Sequence, residues 1–539
     1  MAQAVKARTG GRLVAATLEA LGAEVAFGVP GIHALAIWDG LRGSSVRTIG
    51  LRTELNAGFA ADGFARTSGR PAVVLLSTGP GALVSLAALM EAATAYVPVV
   101  AIASQIPREL LGRGRGYLHE LPDQLASFAP LVKWARRAKS HAEIPELLIE
   151  AWANALAPPS GPVFLEIPVD LLQDETTVEP PPFSGIAVGK GGATADDRAN
   201  AARLLNEAER PVLWAGGGVL RSGAWLELAE LARRLDAPVA TTYMGKGAFR
   251  ADHPLSVGSG CDEAAFKELL ESADVVLAVG TELGAETTAQ YRLALSGAVI
   301  QIDAASERFG ATYPVQGVVG DARALLDDLL TRVQERPRGG AERAAAVRER
   351  IAAGLANQDR ELERGLLETI RAAVPRDGIT AWDMTILAYW AGAHFPVLEP
   401  RTFLYPLGSG TLGYAWPAAL GASLAEPDTP VLAVVGDGGF LYGTQELAAA
   451  RQYGMDVVVL VVDDGGYGIL REYQRDSFGE TTAVDLEEPD FVALAHAYGV
   501  PAERTTSDDL GPALERAFAQ DGPALVHLPT FLRMWTPTE

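Results

Sequence analysis

The sequence predicts an α/β protein built from three doubly wound parallel-sheet domains. Three observations carry that expectation. The chain has 539 residues, more than a single hydrophobic core can organise. Short continuous runs of β-branched and aliphatic residues recur along it, separated by stretches of helical period; strands apolar on both faces belong to sheets covered on both sides. Several runs end in glycine-rich turns, the place where open parallel sheets hold ligands.

Taken in order, the first block (1–175) opens with helical periodicity over Leu13–Leu21. A strand is expected at Val25–Val29, ending in Pro30-Gly31. Apolar strands are expected at Ala72–Leu76 and Val97–Ala103, bracketing a helical stretch Ala82–Ala95, with a further strand at Val163–Ile167. Glu179 to Thr194 holds Pro180-Pro181-Pro182 and Gly189-Lys190-Gly191-Gly192, which can continue neither helix nor central strand and so predicts a linker. The second block (195–330) has strand runs at Pro211–Ala215, Val239–Thr242, Val275–Val279 and Val299–Ile302. An Ala/Arg-rich helical connector over 339–364 leads to the third block (365–539), with strand runs at Val431–Val435, Val457–Val462 and Ala524–Leu528. The first and third blocks match in size and order, which suggests an old duplication.

Bulk properties exclude some partners. A net charge of −22 argues against nucleic acid and anionic membrane surfaces, which both need basic patches. With one cysteine, Cys261, neither an intrachain disulfide nor a cysteine metal cluster can form, and a cytoplasmic location is expected. Met1–Gly11 has no apolar signal core, and no apolar run reaches the ~20 residues that span a bilayer.

The chemistry starts at Gly436-Asp437-Gly438-Gly439, the turn after the run Val431–Val435. After a helical stretch Gln445–Tyr453 and a second strand comes Asp463-Asp464-Gly465-Gly466-Tyr467-Gly468, with Asp464 placed 27 residues after Asp437. Two carboxylates at neighbouring strand ends can close on one hard cation. Mg²⁺ takes oxygen ligands and commonly shares them with phosphates. The plainer reading is two ordinary acidic turns, but spacing, strand context and glycines agree on a metal–diphosphate site. The segment resembles the thiamin-diphosphate (ThDP) enzyme motif, a GDG followed by a strand-end Asn pair. The resemblance implies that Asp437 and Asp464 are Mg²⁺ ligands, that Gly466 lends its carbonyl, and that Gly438, Gly439 and Tyr467 line the cofactor. The Asp463-Asp464 pair departs from the pattern and adds negative charge.

Arg52-Thr53-Glu54 opens an alanine-rich helical stretch reaching Arg66. A carboxylate there is either a helix-start acid favoured by the dipole or a poorly solvated group with a raised pKa. The resemblance selects the second. It implies that Glu54 bonds the aminopyrimidine N1′ and promotes deprotonation of thiazolium C2. Leu407-Gly408-Ser409-Gly410-Thr411-Leu412-Gly413 resembles the loop that clamps the aminopyrimidine, with Gly408 against the cofactor, the Gly410 carbonyl toward N4′ and Leu412 as an apolar wedge. Gly79 in the Ser77–Gly81 turn and Thr385 are further cofactor-binding candidates, and Asp383 lies with Thr385 in a segment that could approach the diphosphate. His33, His119 and Gln124 are catalytic candidates, the two histidines as proton carriers among only 7 in the chain. Glu282 and Glu286 could meet a cationic group, and Tyr473 the substrate entrance. Gly216-Gly217-Gly218 invites a dinucleotide reading but lacks the fuller fingerprint, so FAD is possible but not favoured.

The resemblance covers nearly the whole chain. It implies pyrimidine-binding, middle and diphosphate-binding domains of the acetolactate synthase/pyruvate oxidase type. It also implies a homodimer or homotetramer with cofactor sites between subunits, and decarboxylation of a 2-oxo acid with or without carboligation. The segments around His33 and Tyr117–Gln124, with Glu282, look closest to the 5-guanidino-2-oxopentanoate decarboxylase branch, and the acetolactate synthase branch fits the cofactor motifs as well. The reading from a different class is a non-catalytic nucleotide-binding relative.

Overall fold

The computed structural model describes residues 7–181, 185 and 192–539, so the centre of the expected linker lies outside the described residues. Strand β1 (Arg8–Thr9) is followed by a six-stranded sheet: β2 (Val25–Gly28), β3 (Arg47–Gly50), β4 (Ala72–Leu76), β5 (Val99–Gln105), β6 (Trp134–Arg137) and β7 (Val163–Pro168). Its order is β3-β2-β4-β5-β7-β6, and every pairing is parallel. β8 (Glu175–Thr176) returns antiparallel to β1 and ties the two ends of this unit together.

The middle sheet holds β9 (Pro211–Ala215), β10 (Val239–Thr241), β11 (Ser256–Gly258), β12 (Val275–Val279), β13 (Ala298–Asp303) and β14 (Gln316–Val319). The third holds β15 (Ile379–Trp382), β16 (Phe403–Leu404), β17 (Val431–Gly436), β18 (Val458–Asp463), β19 (Ala502–Arg504) and β20 (Ala524–Pro529). Both are wholly parallel. The third sheet runs β16-β15-β17-β18-β20-β19, the same order as the first counted along the chain. The middle sheet runs β11-β10-β9-β12-β13-β14, the order of dinucleotide-binding folds. The expected three doubly wound sheets are therefore present.

Local differences from the sequence reading have local causes. The strand expected at Val97 starts at Val99, because Pro98 has no N–H to give to a ladder. The single helix expected over Ala82–Ala95 is two, Pro80–Val84 and Leu86–Thr94, with Ser85 Oγ donating to the Ala82 carbonyl at the joint (2.7 Å). The connector is likewise two helices, Gly340–Ala356 and Glu361–Ala373. The strands left unread are β1, β3, β6, β8, β11, β14, β15, β16 and β19; all are short, and β3, β6, β11, β14, β16 and β19 are the six edges of the three sheets.

The first and third sheets share one continuous apolar core. At its centre the helices Glu54–Ser68 and Ala415–Ala425 cross with backbones in contact. A Cβ on Gly63 would lie 2.1 Å from the Ala418 carbonyl oxygen, and one on Gly421 would lie 1.8 Å from the Ala60 carbonyl oxygen. No side chain fits at either position without moving a helix. Gly365, inside the helix Glu361–Ala373, has open space around it instead. Gly421→Ala is expected to destabilise the chain by ~2 kcal/mol or more through overpacking. Gly365→Ala is expected to stabilise it by up to ~1 kcal/mol through helix propensity. Urea unfolding of the two variants beside wild type checks both signs.

Candidate active site

β17 and β18 are parallel neighbours with Gly436 beside Val462, so the turns that follow them share one sheet edge. Asp437 begins the short helix Asp437–Phe440 and is 2% exposed. Its carboxyl is pushed up to about 6, mainly by burial and then by Asp463, while the Gly438 and Gly466 amides hold it down. Asp464 is pushed up to about 7, again by burial first and then by Asp437. The backbone N–H of Gly466 thus faces Asp437, and Gly466 (φ +145°) lies so close under the Val484 carbonyl that a Cβ would sit 2.0 Å from it. Asp437, Asp464 and Gly466 share this sheet edge, with the Gly466 amide acting on Asp437 and Asp437 on Asp464.

Asp437, Asp463 and Glu488 also bring one carboxylate oxygen each within 4.8 Å of one another. Their hydrogen bonding separates them. Asp463 is engaged: its Oδ2 lies 2.6 Å from His527 Nε2 and its Oδ1 accepts the Gly465 amide at 3.1 Å. The buried oxygens without partners are Asp437 Oδ2, Asp464 Oδ1 and Glu488 Oε1. Unpaired buried carboxylate oxygens are costly unless something positive binds them. This donor set of hard oxygens fits Mg²⁺ shared with a diphosphate.

The charge added by the Asp463-Asp464 pair has counterparts. Arg471, 7% exposed, donates to the carbonyls of Asp464 (3.1 Å) and Gly465 (2.9 Å), and its Nη1 is 3.7 Å from Asp464 Oδ1. His527 faces Asp463. The Asp464 carboxylate also sits over Gly468, the first residue of the helix Gly468–Phe478, where the helix dipole favours an anion.

The Gly438 and Gly439 turn is tightly covered: a Cβ on Gly438 would meet the Tyr467 ring at 2.7 Å, and one on Gly439 would meet Asp383 Oδ2 at 3.0 Å. Thr385 Oγ1 lies 3.3 Å from the same kind of position on Gly436. The clamp loop connects at this point, because the buried Asp383 accepts the Gly413 amide with both oxygens (3.1 and 3.0 Å). Gly410 occupies the exposed tip of that loop with φ +68°, and Leu412 is half-buried beside it.

Glu54 starts its helix with Thr53 as N-cap, Thr53 Oγ1 accepting the Asn56 amide at 3.2 Å. Glu446 of the third domain grips the same helix start, accepting from the Arg52 amide (2.9 Å) and Asn56 Nδ2 (3.0 Å). Glu54 is half-buried beside Gly81, where a Cβ would lie 2.6 Å from its Oε1, and burial pushes its carboxyl up. His33 packs against Tyr117 (5.7 Å between ring centres) and His119 (5.4 Å). Burial and then His119 push the His33 pKa down, and Nδ1 of both histidines is buried without a partner. Gln124 is wholly buried. Its Oε1 accepts the Gly79 amide (2.7 Å), and its Nε2 donates to the Ser104 carbonyl and to Glu166. Its amide is thereby spent on shaping the Gly79 turn, where a Cβ would meet the His119 carbonyl at 2.5 Å.

Glu282 is paired with the Tyr96 hydroxyl and with Arg308 at 3.2 Å, so that acid is already satisfied. Gly216 and Gly218 press against the backbone of Gly280, the close packing expected of a structural glycine run. A cavity of about 590 Å³ where the three domains meet touches the clamp loop at Leu407 and Gly408 and does not reach the metal turn. Sequence reasoning missed Glu488, His527 and Arg471, and had Asp383 approaching the diphosphate, whereas it accepts the Gly413 amide. Asp383 had a signal, an acid directly after a strand. The other three reach the site from positions that no local motif marks.

Three family descriptions match the chain in order: the N-terminal TPP binding domain of thiamine pyrophosphate enzymes over 8–127, their central domain over 198–329, and their C-terminal TPP binding domain over 383–528. The chain belongs to the thiamine pyrophosphate enzyme family, and thiamin diphosphate is its cofactor. Among its relatives, the "Probable 2-ketoarginine decarboxylase AruI" of Pseudomonas aeruginosa is 38% identical over 98% of this chain and 95% of its own length. The "Probable acetolactate synthase large subunit" of Methanocaldococcus jannaschii is 34% identical over 96% and 91%, and the acetolactate synthase isozyme 1 large subunit of Escherichia coli is 28% identical over 96% and 93%.

Asp464→Ala is expected to abolish Mg²⁺-dependent ThDP binding, while Asp463→Ala weakens it less; calorimetric titration of ThDP in the presence of Mg²⁺ checks the order. Raised carboxyl pKa values mean that the folded metal-free chain holds protons that the unfolded chain releases near pH 4. Stability from Asp437 and Asp464 is therefore present below that range and lost as pH rises through about 6 and about 7. Mg²⁺ binds the deprotonated forms. The increase in melting temperature on adding ThDP and Mg²⁺ should be larger near pH 8 than near pH 5.5, and binding should release protons.

Proposed function

We propose that the chain decarboxylates a 2-oxo acid with a cationic side chain, of the 2-ketoarginine type, and releases an aldehyde. The reading rests on the unpaired buried oxygens of Asp437 and Asp464 beside the Gly466 turn, which suit a metal-anchored diphosphate. Bound there, thiamin diphosphate supplies a carbanion nucleophile at C2 and an electron sink for the departing carboxylate.

The protein's own residues do the rest. Asp437, Asp464 and the Gly466 carbonyl would hold the ion, and Gly438, Gly439, Tyr467 and Thr385 would bed the diphosphate. Glu54, kept partly out of water, would share a proton with a ring nitrogen of the bound cofactor, and its raised carboxyl pKa suits that role. Gly408, Gly410 and Leu412 hold the pyrimidine. His33 and His119 carry protons at their partnerless Nδ1 atoms. Gln124 acts by positioning Gly79. The cationic substrate end is favoured by the acidic surroundings of Tyr473, whose hydroxyl is raised by burial and then by Glu472, Glu286 and Asp262. The printed name of the relative from Pseudomonas aeruginosa points the same way.

Glu54 and Asp437 serve one cofactor from two copies of the chain, so the working unit is a homodimer or a pair of dimers. Its apolar contact surface includes Ile32 and Leu118 on the first domain and Tyr442 and Phe478 on the third, all exposed in the single chain. The domain limits are 1–175, 195–330 and 365–539, the middle domain needs no FAD, and the enzyme acts in the cytoplasm. Among the described residues no helix is long and apolar enough to cross a membrane.

A panel of 2-oxo acids, assayed for ThDP- and Mg²⁺-dependent CO₂ release, tests the reading. The expected result is turnover of 2-ketoarginine with aldehyde as the carbon product. Turnover of pyruvate with formation of acetolactate would favour carboligation, and ThDP binding without turnover of any acid would favour a non-catalytic relative. Glu54→Gln should keep the cofactor bound but lose deuterium exchange at its C2; exchange at the wild-type rate would remove Glu54 from its role.

A further inference from the structure

We infer that Glu91 of the first domain is the positioning residue for the clamp loop of its own chain. The inference rests on the ThDP reading above.

Glu91 lies in the helix Leu86–Thr94, is wholly buried, and reaches out of its domain. Its Oε1 accepts the Gly408 amide at 3.2 Å, and its Oε2 accepts the Ser409 amide at 2.7 Å and the Ser409 hydroxyl at 2.8 Å. Arg66 Nη2 donates to Oε1 at 2.8 Å. The same guanidinium donates to the Tyr405 carbonyl at 3.0 Å and lies 2.6 Å from Asp62, which also accepts the Tyr414 hydroxyl at 2.7 Å. The segments on both sides of the loop are thus tied to one buried ionic cluster on the first domain.

The far end of the loop is tied differently. Gly413 is held by Asp383, a residue of the third domain itself. The loop is therefore strung between two buried carboxylates, and only one belongs to the domain that carries the loop. Between them Gly410 stands in a left-handed conformation, with nothing nearer than 3.8 Å to where its side chain would be. The Gly410 amide donates to the Pro406 carbonyl at 2.8 Å, which closes the turn on itself, and the two tethered flanks set where that closed turn points.

A fully buried carboxylate is a poor way to gain stability, because an apolar side chain of similar size usually serves as well. Glu91 sits among apolar neighbours on its own helix, Leu89 and Ala92. What distinguishes it from an apolar residue is the ability to accept two loop amides and a hydroxyl at once.

The test compares wild type, Glu91→Gln and Ser409→Ala. ThDP affinity is measured with Mg²⁺ by quenching of tryptophan fluorescence, deuterium exchange at C2 at saturating ThDP, and the melting temperature without cofactor. Glu91→Gln keeps the shape but turns an acceptor into a donor against the loop amides. It should weaken ThDP binding and slow C2 exchange about tenfold each, while Ser409→Ala, which removes one of the bonds, does so a few-fold. Exchange at the wild-type rate in Glu91→Gln, even with a lowered melting temperature, would overturn the inference and leave Glu91 merely structural. Should Glu91→Gln not fold, Ser409→Ala decides, and unchanged affinity and exchange in it overturn the inference. Wild type that binds no ThDP would overturn the function itself, an outcome visible before any variant is made.

Discussion

The backbone contact between the helices Glu54–Ser68 and Ala415–Ala425 sets how the first and third domains of the chain sit against each other. The helices touch through Gly63 and Gly421, so their separation is set by main chain and cannot drift with side-chain packing. One helix begins with Glu54; the other begins directly after the clamp loop. Asp62 and Arg66 lie on the first helix and Tyr414 precedes the second, so the polar cluster that joins the domains is aligned by the same crossing. A single close contact thereby fixes the acid, the loop and the ion cluster relative to one another.

The metal turn works by local charge compensation. Two carboxylates with raised pKa values would repel each other and the diphosphate. Arg471 lies against the second of them and its neighbouring carbonyls, and His527 takes up Asp463. The Asp-Asp pair at a place where the family pattern has Asn is therefore compatible with metal binding. One member of the pair has a partner in the protein, and the other keeps an oxygen free for the ion. Glu488 adds a third unpaired oxygen nearby and makes the site richer in charge than the motif alone suggests.

Much of this was legible in sequence because it is local. The parallel sheets showed as apolar runs, and Asp437, Asp464 and Gly466 as a spaced motif on adjoining strand ends. Other features depend on distant contacts. Glu446 grips the Glu54 helix from nearly four hundred residues away in sequence, and Glu91 meets Ser409 across a domain boundary. Gln124 looked like a chemical amide, yet its bonds to Gly79, Ser104 and Glu166 lie entirely within the fold. Glu282, a candidate for meeting a cation, does meet one, but it is the chain's own Arg308. A polar residue's type and position show that it has a use; only its partners show which.

The central claim is that a metal held by Asp437 and Asp464 anchors thiamin diphosphate. Calorimetric titration of ThDP into the metal-free chain, with Mg²⁺ and with chelator, tests it most directly. One ThDP per chain is expected, bound more tightly with Mg²⁺ than with chelator, with no such gain in Asp437→Ala. Equal affinity with and without the metal, or an undiminished gain in Asp437→Ala, would contradict it.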